Sequence, residues 1–469
     1  MSAEEVKDWL EAEFVVEAAG TLFDMRLRCE KYVLDLRADF GTSHSSTAQR
    51  TNALLSVSLA ARGEGETKAT VGWGEVGLPP KKPGCYLADY SDVLSFFAEA
   101  SHSLPVSPAV LSADPSADPF GPQLPLPLCG LPRRELARAH PPSLALAALL
   151  LFIDSSAANR HPYANAARCG IEVAILDCWG QILRLPLHRL LGPAKDEDQK
   201  DRHQTDEETT FVHRKGFYTV GINPDLEAAL AVVEHEAGDT TGFLKIKINS
   251  DTSFATRLLT ALHEKYPWSA GEAKDWVLDA NAAWTLADAE AFVEVLRPFR
   301  RRLYMVEQPW PVGFLEAGSG DHLEGWARVK RRYNEELGVL LVADESVATW
   351  RDVALLQPFA DGVNVKLEKA GGLRGALQAM VEARRLGMVV WCGMMVGSAL
   401  ASSAAGHLLW MVSEGVDLDG SLLVTPSSNR FQGGITWAGR SHPHFPFGGI
   451  GWIPGDTSLV GVGCTLSPT

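Results

Sequence analysis

Short apolar runs that end in a charge recur between residues 243 and 368. They read Phe243-Leu-Lys-Ile-Lys247, Trp276-Val-Leu-Asp279, Leu303-Tyr-Met-Val-Glu307, Val339-Leu-Leu-Val-Ala-Asp344 and Gly362-Val-Asn-Val-Lys366. Runs of Val, Leu and Ile with little polar alternation suit strands buried on both faces, as in a parallel sheet. The segments between them, such as Leu286 to Arg297 and Leu373 to Gly387, carry a helical pattern. The charged ends are 32, 28, 37 and 22 residues apart, so each ends its own strand in a series of βα units. A closed barrel of such units gathers the C-terminal ends of its strands on one face. Lys247, Asp279, Glu307, Asp344 and Lys366 are therefore expected to converge.

Upstream the pattern changes to strand-like alternation, in Met25-Arg-Leu-Arg, Tyr32-Val-Leu-Asp-Leu, Asn52 to Leu59 and Ala69 to Glu75. Gly63-Glu-Gly-Glu reads as a hairpin turn between the last two. Gly41 to Arg50 reads as a polar loop. Helices are expected near Ser91–Ala100, His140–Ile153 and Ala166–Leu183, with a Pro/Ser-rich excursion from Leu104 to Pro132. The acidic insert at 194–210 reads as a solvated loop. After Asp419 the chain becomes glycine-rich and is expected to pack back on the N-terminal part. The fold class is thus α/β, a barrel with an α+β N-terminal domain. The divisions are 14–160 for that domain, 161–419 for the barrel and 420–469 for the tail.

The 469 residues are enough for two cores, and 46% hydrophobic with 22% charged is a globular composition. A net charge of -15 argues against general nucleic-acid binding. Seven scattered cysteines without a CxxC suit reduced thiols. The acidic N-terminus lacks a signal-peptide core, and no apolar run reaches membrane-spanning length. A cytoplasmic enzyme with a small-molecule substrate, acting on neither nucleic acid nor membrane, is the expectation.

Three carboxylates between two lysines have the chemistry of a hard divalent-cation site with two bases. A substrate carboxylate there would form a stabilised enediolate, and lysines on opposite faces could remove and return an α-proton. Lys245, two residues before Lys247, adds a cation that favours a neutral Lys247.

At these residues the chain resembles the enolase superfamily, in its muconate-lactonizing-enzyme-like subgroup. Lys245-Ile-Lys247, Asp279-Ala-Asn281, Glu307-Gln-Pro309, Ala343-Asp-Glu-Ser346, Asn364-Val-Lys366 and Ala370-Gly-Gly372 stand in that family's order. Val71-Gly-Trp-Gly-Glu75 resembles its capping-domain hairpin, and Ile171 to Asp177 the helix before its barrel. The resemblance implies a (β/α)7β modified TIM barrel. It implies Mg²⁺, with Mn²⁺ as the alternative, on Asp279, Glu307 and Asp344, with Lys247 and Lys366 as the acid/base pair. Asn281 and Glu345 support the metal ligands.

Asp417-Leu-Asp419 is similar to the DxD of dipeptide epimerases of the L-Ala-D/L-Glu type, where two aspartates hold the substrate ammonium. The resemblance therefore implies an isomerase that epimerises the C-terminal residue of a dipeptide. Cycloisomerase, o-succinylbenzoate synthase and N-acylamino acid racemase stay open as alternatives, as does a non-catalytic barrel. Ser398 joins the substrate-binding candidates, but Gly397 stands where the family's Gly-Cys-Met-x-Glu-Ser has its Glu. The Gly41–Arg50 loop corresponds to the family's specificity loop, with Thr42, Ser43, His44 and Arg50 as candidates. Homo-oligomers are common in the family.

Overall fold

The computed structural model describes residues 8–41, 46–63, 68–102, 140–191, 214–223, 225–234, 242–267, 273–317, 320–438, 441–442, 445–446, 449–451 and 459–467. The cap is an antiparallel meander, β1 (Trp9–Ala18), β2 (Thr21–Gly41), β3 (Ser46–Ala61) and β4 (Thr70–Val76), in the order β1-β2-β3-β4. It begins at Trp9, five residues before the expected boundary. Helices α1 (Tyr90–His102), α2 (Pro141–Ser155) and α3 (Ala164–Leu183) complete it. Strand alternation gives β1 and β2 one buried face, with Val16, Phe23, Met25 and Leu27 inward and charged residues outward.

Helix α3 presses backbone to backbone on β4. A Cβ at Gly72 would lie 2.2 Å from Ala174 O, and one at Gly74 would lie 2.1 Å from Gly170 O. The Gly-Trp-Gly spacing therefore creates the room for this close approach. It also ties α3 to the cap sheet.

Eight parallel strands follow: β5 (Arg214–Val220), β6 (Phe243–Lys247), β7 (Trp276–Asp279), β8 (Leu303–Glu307), β9 (Leu340–Ala343), β10 (Gly362–Lys366), β11 (Val389–Gly393) and β12 (Gly415–Asp417). Each pairs with the next, and β12 pairs with β5, closing the ring. Every residue of β6, β7 and β10 is buried, as continuous apolar runs in a parallel barrel require. Phe217, Phe243, Val277, Met305, Val342 and Trp391 fill the interior below the mouth.

Beyond β12 the tail goes two ways. Residues 423–431 dock on the cap: Arg37 N donates to Leu423 O, Tyr32 Oη to Ser428 O, and Phe431 packs edge-on to Trp73. Thr436–Ala438 and Gly449–Gly451 pair with each other, and the latter pairs antiparallel with β5. The last described residues return to the cap, Val462 N donating to Asp177 Oδ1 of α3 at 2.7 Å. Both ends of the tail therefore pack on the cap, and its middle pairs with the barrel. Among the described residues no helix is long and apolar enough to cross a membrane. The insert at 194–210 lies outside the described residues.

Candidate active site at the barrel mouth

Strand register sets the site. Lys247 of β6 lies beside Asp279 of β7, which lies beside Glu307 of β8. Lys366 of β10 lies beside Gly393, which lies beside Asp417 of β12. Asp344 follows the last residue of β9. The five charged strand ends and Asp417 thus ring one mouth, the C-terminal face where barrel enzymes place their chemistry.

Asp279, Glu307 and Asp344 are fully buried. Lys245 Nζ sits among carboxylates, 2.8 Å from Glu307 Oε2, 2.6 Å from Asp417 Oδ2 and 3.3 Å from Asp279 Oδ2. Lys247 Nζ is 2.7 Å from Asp279 Oδ2 and donates to Asn281 Oδ1 at 2.8 Å. Lys366 Nζ is 2.8 Å from Asp344 Oδ2, and Lys369 Nζ is 2.5 Å from Asp344 Oδ1. Asn281 donates its backbone N–H to Asp279 Oδ1 and its side chain towards Glu345 Oε1. Asn364 Nδ2 donates to Glu307 Oε1.

These contacts set the protonation states. Burial pushes the Glu307 carboxyl up to about 8; Lys245 opposes this, while Asp279 and Asp344 add to it. Burial also acts to raise Asp344, but the ammonium groups of Lys366 and Lys369 hold it well below the usual carboxylate range. Burial works against the Lys366 cation, yet Asp344 holds its pKa above the ordinary lysine value. In this arrangement Lys366 is an acid; it must part from Asp344 to act as a base.

The residues fit a divalent metal ion by donor chemistry: three buried carboxylates on neighbouring strands, each held against positive charge. Among the described residues no three His, Cys, Asp or Glu side chains stand close enough together to hold an ion. The lysine ammonium groups lie between the carboxylates instead, and Glu307 Oε2 accepts no hydrogen bond beyond its ion pair with Lys245. The site calls for a cation, and lysines supply it here.

A cavity of about 240 Å³ opens over this ring, lined by Lys245, Lys247, Lys366, Asp417 and Asp419 from the barrel and by Arg50, Lys82 and Tyr86 from the cap. Asp419 does not share the strand face of Asp417. The strand ends at Asp417, and Asp419 starts a one-turn 3-10 helix, accepting Thr219 N–H at 2.5 Å. Burial and then Asp417 push its carboxyl up to about 7.

Other expectations are corrected. Ser398 is fully buried and does not line the cavity. Its N–H and hydroxyl donate to Glu75 of the cap, and its oxygen accepts Leu400 N–H at the start of the Ala399–Gly406 helix. It fastens cap to barrel. Arg50 lies within β3 and not in a loop; Thr42, Ser43 and His44 lie outside the described residues. Trp284 and Trp310, close in the chain to Asp279 and Glu307, are fully buried. Trp284 stacks on Phe292, and Trp310 Nε1 donates to Ser346 Oγ.

Two lysines were missed. Lys369, three residues after Lys366, begins the next helical turn and so reaches the same carboxylate; the Lys-x-x-Lys spacing was its signal. Lys82 arrives from the cap on Pro79-Pro-Lys-Lys-Pro83, donating to Asn281 O at 2.7 Å and lying 3.5 Å from Glu345 Oε1. A proline-braced pair of lysines after the cap hairpin could have revealed it.

A closed parallel barrel with an antiparallel cap and a mouth of carboxylates and lysines has the architecture of a barrel enzyme with its site at the C-terminal face. Residues 227–427 match the family described as enolase C-terminal domain-like. An enolase superfamily member of Dictyostelium discoideum is 32% identical over 456 residues, covering 94% of this chain and 97% of the relative. The chain belongs to the enolase superfamily. An L-Ala-D/L-Glu epimerase of Bacillus subtilis is 29% identical over 278 residues, or 59% of this chain and 67% of the relative. A dipeptide epimerase from Cytophaga hutchinsonii, solved with Mg and D-Ala-L-Val, shares the fold with a TM-score of 0.64 at 18% identity, covering 97% of this chain and 96% of that one.

Proposed function

We propose that the protein is an isomerase, a Mg²⁺-dependent dipeptide epimerase acting by 1,1-proton transfer at the α-carbon of the C-terminal residue. One observation carries the reading. In the eight-strand ring, β6 and β10 are separated by three strands on either side, so Lys247 and Lys366 face each other across the mouth. One intervening arc, β7 to β9, carries the three carboxylates, and the other carries Asp417. A dipeptide laid between the arcs has its carboxylate on one side, its ammonium on the other and its α-carbon between two lysines.

When bound at Asp279, Glu307 and Asp344, the metal ion supplies positive charge for the anion that develops on the substrate carboxylate. Asn281 and Glu345 hold the ligands' orientation. Lys247 takes the α-proton from one face and Lys366 delivers one to the other; in the reverse direction the roles exchange. Asp417 and Asp419 fix the ammonium. The epimerase and racemase relatives support this assignment over cycloisomerisation.

The test is proton exchange in D₂O with Mg²⁺ and a library of L,L-dipeptides. Epimerisation with deuterium entering the α-carbon of the C-terminal residue is the expected outcome. Lys247→Ala and Lys366→Ala should each lower turnover by about 10²- to 10⁴-fold, and each should retain residual exchange with a different epimer. No exchange with any dipeptide sinks the proposal.

A further inference from the structure

Asp344 is held by two lysines, and the proton chemistry uses one of them. Its main chain is fixed: Asp344 N–H donates to Gln308 Oε1 at 2.9 Å, and its carbonyl accepts Val347 N–H at 3.0 Å. Rotation of the carboxylate is what remains to be set. Lys366 takes one side-chain oxygen, Oδ2, at 2.8 Å. Lys369 takes the other, Oδ1, at 2.5 Å, and also donates to the main-chain oxygen of the same residue. An ammonium has three donors, and one that bridges the main chain and side chain of Asp344 fixes where the carboxylate points.

Lys366 lines the cavity and Lys369 does not, so Lys369 is placed to act on Asp344 and not on a substrate. It stands on the one-turn helix Leu367–Ala370, which follows β10 directly. That turn is held from the cap. Asn165 of α3 donates Nδ2 to Lys369 O at 2.8 Å. Beyond the turn, Gly371 and Gly372 have φ of 84° and 119°, the left-handed region that favours glycine. A Cβ at Gly372 would lie 2.5 Å from Glu172 Oε1 of α3. Glu172 in turn accepts Arg374 N–H at 2.9 Å and Nε–H at 2.8 Å. One cap helix thus clamps the segment that delivers Lys369.

We propose that Lys369, braced by Asn165, is a positioning residue for Asp344. It holds the carboxylate by Oδ1, so that Oδ2, the oxygen Lys366 gives up, is turned to the divalent cation. The inference rests on the divalent-metal reading. An ammonium beside a ligand also repels the ion, so the orienting effect and the charge act in opposite directions.

The experiment is calorimetric titration of the whole protein with Mg²⁺ in the absence of substrate. Lys369→Met should weaken Mg²⁺ binding by about 10- to 100-fold, the usual cost of removing the partner of a metal ligand. Lys369→Arg, which keeps the charge and the donors, should regain part of that loss. Asn165→Ala should weaken binding by about 2- to 10-fold, the worth of one neutral hydrogen bond. In the Lys369→Met background it should add nothing, because the two act through one contact. Binding in Lys369→Met as tight as in the wild type, or tighter, overturns the inference and leaves the lysine only a rival charge. So does a folded Lys369→Arg no better than Lys369→Met, or a full Asn165→Ala loss added in the double variant. Should Lys369→Met not fold, Asn165→Ala decides alone, with unchanged affinity overturning the inference. If the wild type binds no Mg²⁺, the metal reading itself fails and this inference falls with it.

Discussion

Lys245 and Asp417, 172 residues apart in the chain, meet with Nζ 2.6 Å from Oδ2. The aspartate proposed to hold a substrate ammonium is thus already paired with a protein ammonium of the same chemistry. A substrate amine must share or displace that contact, so Asp417 discriminates for a cation and not merely for a hydrogen-bond donor. Asp417→Asn should therefore lower kcat/KM for dipeptides by about 10- to 100-fold, the worth of one charged hydrogen bond. The N-acetylated dipeptides, which lack the ammonium, should lose nothing comparable. Steady-state kinetics on both substrate sets decides it; equal losses would show that Asp417 acts through Lys245 alone.

The three carboxylates make a metal prediction that needs no turnover. An ion that binds only the folded protein stabilises it, by about 1.4 kcal/mol at ten times its dissociation constant. Melting curves with Mg²⁺ against curves with a chelator should show this shift in the wild type. Asp279→Asn, Glu307→Gln and Asp344→Asn should each abolish it. A shift that survives all three places the ion elsewhere.

Much of this site could be read in advance because parallel strands are buried on both faces. A charged residue closing an apolar run, as in Phe243 to Lys247 or Leu303 to Glu307, has to sit at an end, and the recurrence of one βα unit per step puts those ends in one ring. The barrel and the convergence of Lys247, Asp279, Glu307, Asp344 and Lys366 follow from that periodicity. What periodicity does not carry is contact between the two domains. Ser398 stands next to a substrate-facing motif in the chain, yet its partner is Glu75, 323 residues away. Arg50 belongs to a polar segment that reads as loop, because Thr47, Gln49 and Thr51 alternate weakly. Pairing of Arg50 with Leu34 on β2 extends the strand there. Lys82 gains its place only when the cap closes on Asn281 and Glu345.

Gly397 illustrates the same point and yields a stability prediction. A Cβ there would lie 2.9 Å from Ala401 Cβ and 3.1 Å from Glu75 Oε1. Glu75 already fills the space beside Gly397, accepting from Ser398 and from Asn52 Nδ2 at 2.7 Å. The glutamate found at this position in the family signature has no room here, and its charge would face the buried Glu75. Gly397→Glu should destabilise the protein by about 3 kcal/mol or more through crowding and an unpaired buried charge. Gly397→Ala, which adds only the close contact, should cost about 1 kcal/mol. Urea denaturation measures both, and a Gly397→Glu protein as stable as the wild type would refute the packing argument.

Far from the mouth, His188 and His407 form a buried pair that should make stability depend on pH. His188 N–H donates to His407 Nδ1 at 3.2 Å, the two Nδ1 atoms are 3.2 Å apart and the rings stack at 5.4 Å. Burial, with Arg189 adding to it, lowers His188 to about 4; burial and then His188 hold His407 well below its ordinary value. A base whose pKa is depressed by folding contributes stability above its unfolded value of about 6.5 and loses it as pH falls towards the folded value. Between pH 6.5 and about 4, therefore, the unfolded chain takes up protons that the native pair refuses. Each histidine should remove about 1.4 kcal/mol per pH unit in that window. Other groups titrate there too, so the difference between proteins isolates the pair. His188→Gln should reduce the slope of unfolding free energy against pH by about one histidine's share, while stability above pH 7 changes little with pH in either protein. If the two proteins lose stability in parallel from pH 6.5 to 4.5, His188 is not held neutral by its surroundings.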